Sequence, residues 1–192
     1  MAFKHNWTAR EISRSLFWNT FSQRHLVVAP NCHAAGYEAD LLIVRHDLRL
    51  MDVEIKISRK DLKEDKTKDK WFKEWDFAAH GWRSPRPEER EPVGHPNKIW
   101  KHYYALPEEI WDEKLWPDIQ PNSGVILIRS NSAIRPWLRI LKQAKPNRAA
   151  QPIGLDEFKK IANSLSFRMW RACGELDEQR RQKIKLSGEV AA

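Results

Sequence analysis

Cysteine is scarce in this chain, with only Cys32 and Cys173 present. One pair makes no disulfide framework, so a reducing, cytoplasmic setting is the expectation. Familiar metal-binding spacings are missing too. Cys32 and His33 are adjacent, the other histidines are scattered, and no C-x-x-C or H-x-x-x-H occurs. No apolar run approaches the roughly 20 residues that a membrane-crossing helix needs. The opening MAFKHNWTARE has no apolar stretch of the kind a secretory signal carries. There are no internal repeats.

What is there points to a folded, basic protein. A hydrophobic fraction of 41% and ten tryptophans exclude a disordered chain. The length of 192 residues suits one domain with a sizeable core, or a core domain with an appendage. Lysine and arginine outnumber aspartate and glutamate by 34 to 26, a net charge of +8. That excess favours a polyanionic partner, and nucleic acid is the commonest.

Periodicity lays out the elements. Residues 8–23 predict a helix with Ile12, Leu16, Phe17 and Phe21 on one face, opened by a Thr8/Glu11 capping box. Short strands are expected over 25–29, 39–45 and 48–58. The charged run 59–74, RKDLKEDKTKDKWFKE, predicts an exposed helix laced with charge pairs. Residues 76–98, with four prolines and two glycines, predict a long irregular loop. Strands follow over 102–106, 124–129 and 134–141, with Pro136 placing the last at a sheet edge. Residues 145–153 read as a linker, and a long helix over 155–184 carries the stripe Phe158, Ile161, Leu165, Met169, Ala172, Leu176. The sum is an α/β protein: a central mixed sheet flanked by helices, with a long C-terminal helix.

The strand at 48–58 raises the functional question. Met51, Val53, Ile55 and Ile57 share one face, and Asp52, Glu54, Lys56 and Ser58 share the other. If the preceding turn has three residues, 46–48, Arg45 opposes Arg49 and Asp40 opposes Glu54, with side chains about 5 Å apart. A two-residue turn would break that alignment. Two carboxylates so close require a cation between them. Such a spot suits Mg²⁺, which takes hard oxygen ligands, and metal-assisted phosphodiester hydrolysis, with Lys56 orienting water and adding positive charge. The plainer alternative is a solvated strand face with ordinary cross-strand charge pairs, and solvated surface is the expectation for Asp52. Glu11 is likewise open between helix cap and metal contact.

The order helix, three strands, helix, strand, with Asp40 on one strand and "EIK" (Glu54, Lys56) on the next, resembles the PD-(D/E)xK nuclease superfamily, the restriction-endonuclease-like fold. The phrases YEADLLIV, VEIKISRKDLKEDKTK, KHYYALPEEI and SGVILI are similar to small phage-encoded and bacterial DNA-repair members, including MmcB-like ones. The resemblance spans roughly residues 8–130. Ala39 stands where the motif has proline. It implies a Mg²⁺-dependent DNA endonuclease, with Mn²⁺ able to substitute, in which Asp40, Glu54 and the Ile55 backbone carbonyl hold the metal, helped by Glu11. The alternative is a nuclease fold that binds DNA without cutting it.

Residues 1–144 would form the nuclease domain, with an insertion near 76–98, and 145–192 a linker and helix packed on or extending it. Arg59, Lys60, Lys63, Lys66, Lys70, Arg83, Arg86, Lys98 and Lys101 are the expected phosphate contacts. Trp71, Trp75 and Trp82, interleaved with arginines, suit base stacking or plain packing of the loop. His102 is expected on the strand surface. A homodimer is compatible with the apolar stripe of the C-terminal helix.

Overall fold

The first helix begins where the sequence says it should. The Thr8 hydroxyl accepts from the Glu11 N–H at 3.2 Å, and the Glu11 carboxylate accepts from the Thr8 N–H at 2.9 Å. This capping box opens α1, Ala9–Leu16, which continues into a π-helical turn, Phe17–Phe21. Ile12, Leu16 and Phe21 bury one side of it. The structure is a computed structural model that describes residues 6–73, 86–129 and 136–190. The chain divides into two compact units, residues 1–153 and 154–192.

The first unit is α/β, built on a six-stranded mixed sheet in the order β1-β2-β3-β4-β5-β6. The strands are β1 (Val27–Cys32), β2 (Ala39–Val44), β3 (Leu50–Ile55), β4 (Ile99–Pro107), β5 (Gly124–Arg129) and β6 (Trp137–Lys142). The pairs β3–β4 and β4–β5 are parallel and the others antiparallel. The helix, three strands, helix, strand order expected from the sequence is therefore present, with α2 (Arg59–Glu64) between β3 and β4. β6 lies at the sheet edge, next to Pro136, as expected of a strand beside proline.

The β2–β3 hairpin has the three-residue turn. Leu42 pairs with Asp52 and Val44 with Leu50, and Arg45 donates to the Arg49 carbonyl at 3.1 Å. That register sets Asp40 opposite Glu54. Leu48 completes the turn at φ 59°, the left-handed residue that three-residue hairpin loops use.

Both faces of the sheet are covered. Leu41, Ile43, Met51, Val53, Ile55, Tyr103 and Ala105 pack against α1, while Tyr104, Leu106, Val125 and Leu127 form a second core with Leu62, Trp71, Leu115 and Ile119. The expected 59–74 helix stops at Glu64 and gives way to two 3₁₀ turns, Asp65–Thr67 and Asp69–Trp71. Those turns lay the segment over the sheet instead of projecting it into solvent. The 145–153 stretch is not a free linker: Asn147 donates to the Trp100 carbonyl at 2.7 Å and Ile153 to the Leu48 carbonyl at 2.9 Å.

The second unit is α3, Leu155–Val190. Ile161 is buried, whereas Met169, Trp170, Leu176 and Ile184 are exposed. No helix among the described residues is long and apolar enough to cross a membrane.

Candidate functional site

Alternation along β3 sends Leu50, Asp52, Glu54 and Lys56 to the face opposite α1. That face is covered, so the expectation of a solvated Asp52 is overturned: Asp52 is 0% exposed, Glu54 2% and Lys56 1%. β4 runs parallel beside β3 and pairs His102 with Asp52 and Tyr104 with Glu54. His102 is buried too, at 1% exposed, and not a surface histidine. From above, α2 is fixed by its cap, where the Ser58 hydroxyl accepts from the Asp61 N–H at 3.1 Å, and by buried Leu62. The two 3₁₀ turns then deliver Asp65, Lys68, Lys70 and Trp71 onto the strand.

The result is a buried ion network. Lys56 Nζ donates to Glu54 Oε1 and Asp65 Oδ1, both at 2.9 Å, and lies 3.5 Å from Asp61. Lys70 Nζ donates to Glu54 Oε2 at 2.7 Å and sits 3.8 Å from Asp52 and 3.9 Å from Asp65. Lys68 bonds Glu54 and lies 3.2 Å from Asp65. Phenols and an indole complete the carboxylates' shells: Tyr37 donates to Asp52 at 2.6 Å, Tyr104 to Asp65 at 2.7 Å, and Trp71 Nε1 to Asp65 at 2.9 Å. Asp52, Glu54 and Asp65 thus face three ammonium groups. Buried charge persists only with such pairing, because isolated desolvation is prohibitive.

Electrostatics separates the acids. Burial pushes Asp65 up, but Lys70, Lys56 and the Tyr104 hydrogen bond outweigh it and hold the carboxyl far below its ordinary range. Glu54 goes the same way: burial raises it, and Lys70 and Lys56 bring it below normal. Asp52 differs. Burial raises it, Lys70 pulls back, Glu54 pushes up again, and it settles at about 6. Its Oδ1 is buried without a hydrogen-bond partner among the described residues. Burial, then Lys70, keeps His102 well below 6.5 and neutral. Nδ1 is 2.8 Å from the Ser123 hydroxyl and Nε2 is 3.4 Å from Lys70 Nζ. An ammonium can only donate, so Nε2 accepts and the ring proton sits on Nδ1.

The Asp52 shift gives a signed pH dependence. Between the ordinary 3.8 and about 6, the folded chain keeps a proton that the unfolded chain has released. The stability Asp52 contributes is complete below pH 3.8 and is lost as pH rises through 6. Two units amount to about 3 kcal/mol. Asp52→Asn removes this titration. Relative to wild type, the variant gains about 3 kcal/mol of unfolding free energy between roughly pH 4 and pH 7. Urea unfolding followed by tryptophan fluorescence measures it, and two curves that stay parallel across this range would show that Asp52 titrates normally.

Asp52, Glu54 and His102 each offer one ligand atom, all within 4.8 Å of one another, so the cluster could hold a metal ion. Lys70 Nζ stands among the same three groups, where such an ion would sit. Asp40 lies a step away. The β1–β2 ladder passes from Pro30–Leu41 to Cys32–Ala39, stepping over Asp40, and the β2–β3 ladder ends at Leu41–Val53. Here the strands part, and Asp40 Oδ2 accepts from the Ile55 N–H at 2.7 Å. Burial and then Glu54 raise the Asp40 carboxyl above its ordinary value. Asp40 and Ile55 both line a cleft of about 800 Å³ beneath α1.

The other sequence-predicted residues fall into three groups. The Glu11 carboxylate is engaged by the Thr8 N–H and hydroxyl, and Arg10, Ser13 and Arg14 line the cleft of Asp40 in its stead. Lys56 presents no open ammonium to a water, since all its donors point at carboxylates. Lys70, expected on a DNA-facing surface, is buried, and so is Trp71, at 2% exposed. Lys70 departs from the expected solvated helix, while Trp71 takes the packing alternative of the two the sequence leaves open. Arg59, Lys60 and Lys63 line a shallow cleft of about 510 Å³. Lys66 pairs with Asp118, Lys101 lies 4.7 Å from the Trp100 ring, and Arg86 and Lys98 are exposed. Arg83, Trp75 and Trp82 lie outside the described residues. Sequence reasoning missed Tyr37, Asp65 and His102 as members of the network. A buried D-x-E-x-K strand demands counter-charges, and that demand was the available signal.

No protein-family model and no curated protein matches the chain. Among solved structures it is similar to a protein of unknown function from Silicibacter pomeroyi, at 17% identity and a TM-score of 0.46, with 88% of this chain and 87% of that one covered.

Proposed function

We propose that the protein is a divalent-metal-dependent nuclease of the restriction-endonuclease-like class, acting on DNA. The observation that carries this reading is the hairpin register. It sets Asp40 opposite Glu54 at the point where β2 and β3 part, with the Asp40 carboxylate on the Ile55 N–H and Lys56 on Glu54. The reading keeps the resemblance to small phage-encoded and DNA-repair members of that superfamily.

The donor set suits the metal. Asp40, Glu54 and the Ile55 carbonyl are all oxygen donors, the kind Mg²⁺ takes, and Mn²⁺ can replace it. The Asp40 carboxyl lies within electrostatic reach of Glu54, Lys56 and Lys68. Lys68, its side chain 45% exposed, covers Glu54 from the solvent side and is the ammonium that an entering dication would displace. A bound dication would acidify a water and offset the charge that builds on the scissile phosphate. Lys56 acts as a positioning residue that fixes the Glu54 carboxylate. The net charge of +8 and the Arg59, Lys60, Lys63 surface support a polyanionic substrate.

The test is conversion of supercoiled plasmid to nicked or linear DNA. Cleavage is expected with Mg²⁺ or Mn²⁺ and not with EDTA. If the purified chain leaves plasmid, single strands and branched DNA intact with either metal, the nuclease reading is wrong. A second reading, DNA binding without turnover, is favoured by one observation: Glu54 already contacts three ammonium groups. It predicts salt-sensitive DNA binding and no cleavage in the same assay.

A further inference from the structure

We propose that Arg10 and Arg14 form a phosphate clamp that holds a nucleic-acid backbone in the cleft beside Asp40. The proposal deepens the nuclease reading and rests on it for the choice of ligand. α1 has two faces. Ile12 and Leu16 are buried in the core, and Arg10, Ser13, Arg14 and Phe17 line the cleft. Arg10 and Arg14 are four residues apart, so their side chains are neighbours on one face. The floor and far wall include Val28, Pro30, Leu41 and Ile55, apolar or backbone surface that offers the guanidinium groups no counter-charge.

Asp40 is the one carboxylate among the described cleft residues, and its Oδ2 is held by the Ile55 N–H. Neither arginine forms an ion pair among the described residues. Arg45 and Arg49 pair with Asp47, Arg59 with Asp112 and Arg90 with Asp69, whereas Arg24, Arg86 and Arg148, like Arg10 and Arg14, form no ion pair among the described residues. Two uncompensated guanidinium groups on a partly apolar cleft concentrate positive potential there. Planar forks of this kind match phosphate oxygens two at a time, with a serine hydroxyl between them as a further donor. A cleft of about 800 Å³ exceeds what one phosphate fills and leaves room for the sugars on either side. The clamp would hold the backbone in a cleft that Asp40 and Ile55 also line, at the end of the hairpin.

The experiment is fluorescence anisotropy of a labelled DNA oligonucleotide, single-stranded and duplex, titrated with full-length protein. Ca²⁺ replaces Mg²⁺ so that binding is read without turnover, and the titration is repeated over a series of KCl concentrations. Each lost phosphate contact lowers the slope of log affinity against log salt by about 0.7 for single strands and 0.9 for duplex. Arg10→Ala with Arg14→Ala is expected to weaken binding at least about tenfold at low salt and to reduce the slope by about 1.4 to 1.8. Arg171→Ala with Arg181→Ala, on α3, removes the same charge and should leave the slope unchanged. Arg10→Lys with Arg14→Lys should retain most of the slope, because charge is kept while the fork is lost.

A double alanine variant that binds with wild-type slope overturns the clamp, and so does a loss matched by the α3 control, which would be a diffuse effect of net charge. The nuclease reading fails separately. A chain whose DNA affinity depends on Arg10 and Arg14 but which never cuts plasmid keeps the clamp and loses the catalytic assignment. A chain that cuts normally after both arginines are removed does the reverse.

Discussion

Asp40→Asn is expected to lower magnesium-dependent plasmid cleavage by about two to three orders of magnitude, the usual scale for removing one group that stabilises charge at a reacting centre. The substitution is nearly isosteric. Its amide oxygen can still accept from the Ile55 N–H, which Asp40 now does at 2.7 Å. What it removes is the negative charge beside Glu54. Because burial and Glu54 hold the Asp40 carboxyl above its ordinary value, a neutral side chain relieves repulsion, and the variant should fold at least as well as wild type. Cleavage and stability therefore separate at this position.

Glu54→Gln should lose cleavage to a similar degree but also stability, since three ammonium groups lose their shared anion. The measurement is initial nicking rate with Mg²⁺, alongside urea unfolding. Wild-type nicking by Asp40→Asn would remove Asp40 from the metal set and leave Asp52, Glu54 and His102 as the donors to test.

Lys70→Met is expected to destabilise the fold by about 3–5 kcal/mol, the typical result of breaking a buried ion pair from one side. Lys70 Nζ lies 2.7 Å from Glu54, 3.4 Å from His102 and 3.8 Å from Asp52. Methionine fills much of the same space, so the loss is electrostatic and not a cavity. Asp52 and Glu54 would remain buried with fewer counter-charges, against a total stability of about 5–15 kcal/mol for a typical domain. Adding Glu54→Gln to Lys70→Met should recover part of the loss, since removing both members of a buried pair is often close to neutral. Urea unfolding at neutral pH reads both numbers. A single-variant effect under about 1 kcal/mol, the size of an exposed pair, would mean that water reaches this network.

Much of the fold could be read from residue patterns because its causes are local. Thr8 and Glu11 are three residues apart and cap α1 as that spacing requires. The bend at 46–48 takes the longer of the two lengths the sequence leaves open, and that length sets the Asp40–Glu54 alignment. The apolar run Gly124–Arg129 is β5 to the residue. The charged face of β3 was separated correctly from the apolar one, yet its surroundings were not. Periodic Lys63, Lys66, Lys70 and Asp61, Asp65, Asp69 suit a solvated helix. What overrides that pattern is tertiary: Leu62 and Trp71 belong to a core with Tyr104 and Leu127, and the buried carboxylates of β3 need cations. Asp65 and Lys70 answer that need only when the helix ends early and tighter turns rotate them inward. His102 was invisible for a related reason. Its partner, Asp52, is 50 positions earlier, and only the parallel pairing of β3 with β4 brings the two together.

The bend between β2 and β3 sits far from any proposed chemistry, yet it works as a ruler. Leu48 holds the left-handed backbone there, and its carbonyl is bonded by the Ile153 N–H at 2.9 Å. One residue more or fewer in this bend would slide one strand past the other by a single step and bring Asp40 against Val53 or Ile55 in place of Glu54. The side chain of His46, which is exposed, plays no part in this alignment, whereas the number of residues in the bend fixes it.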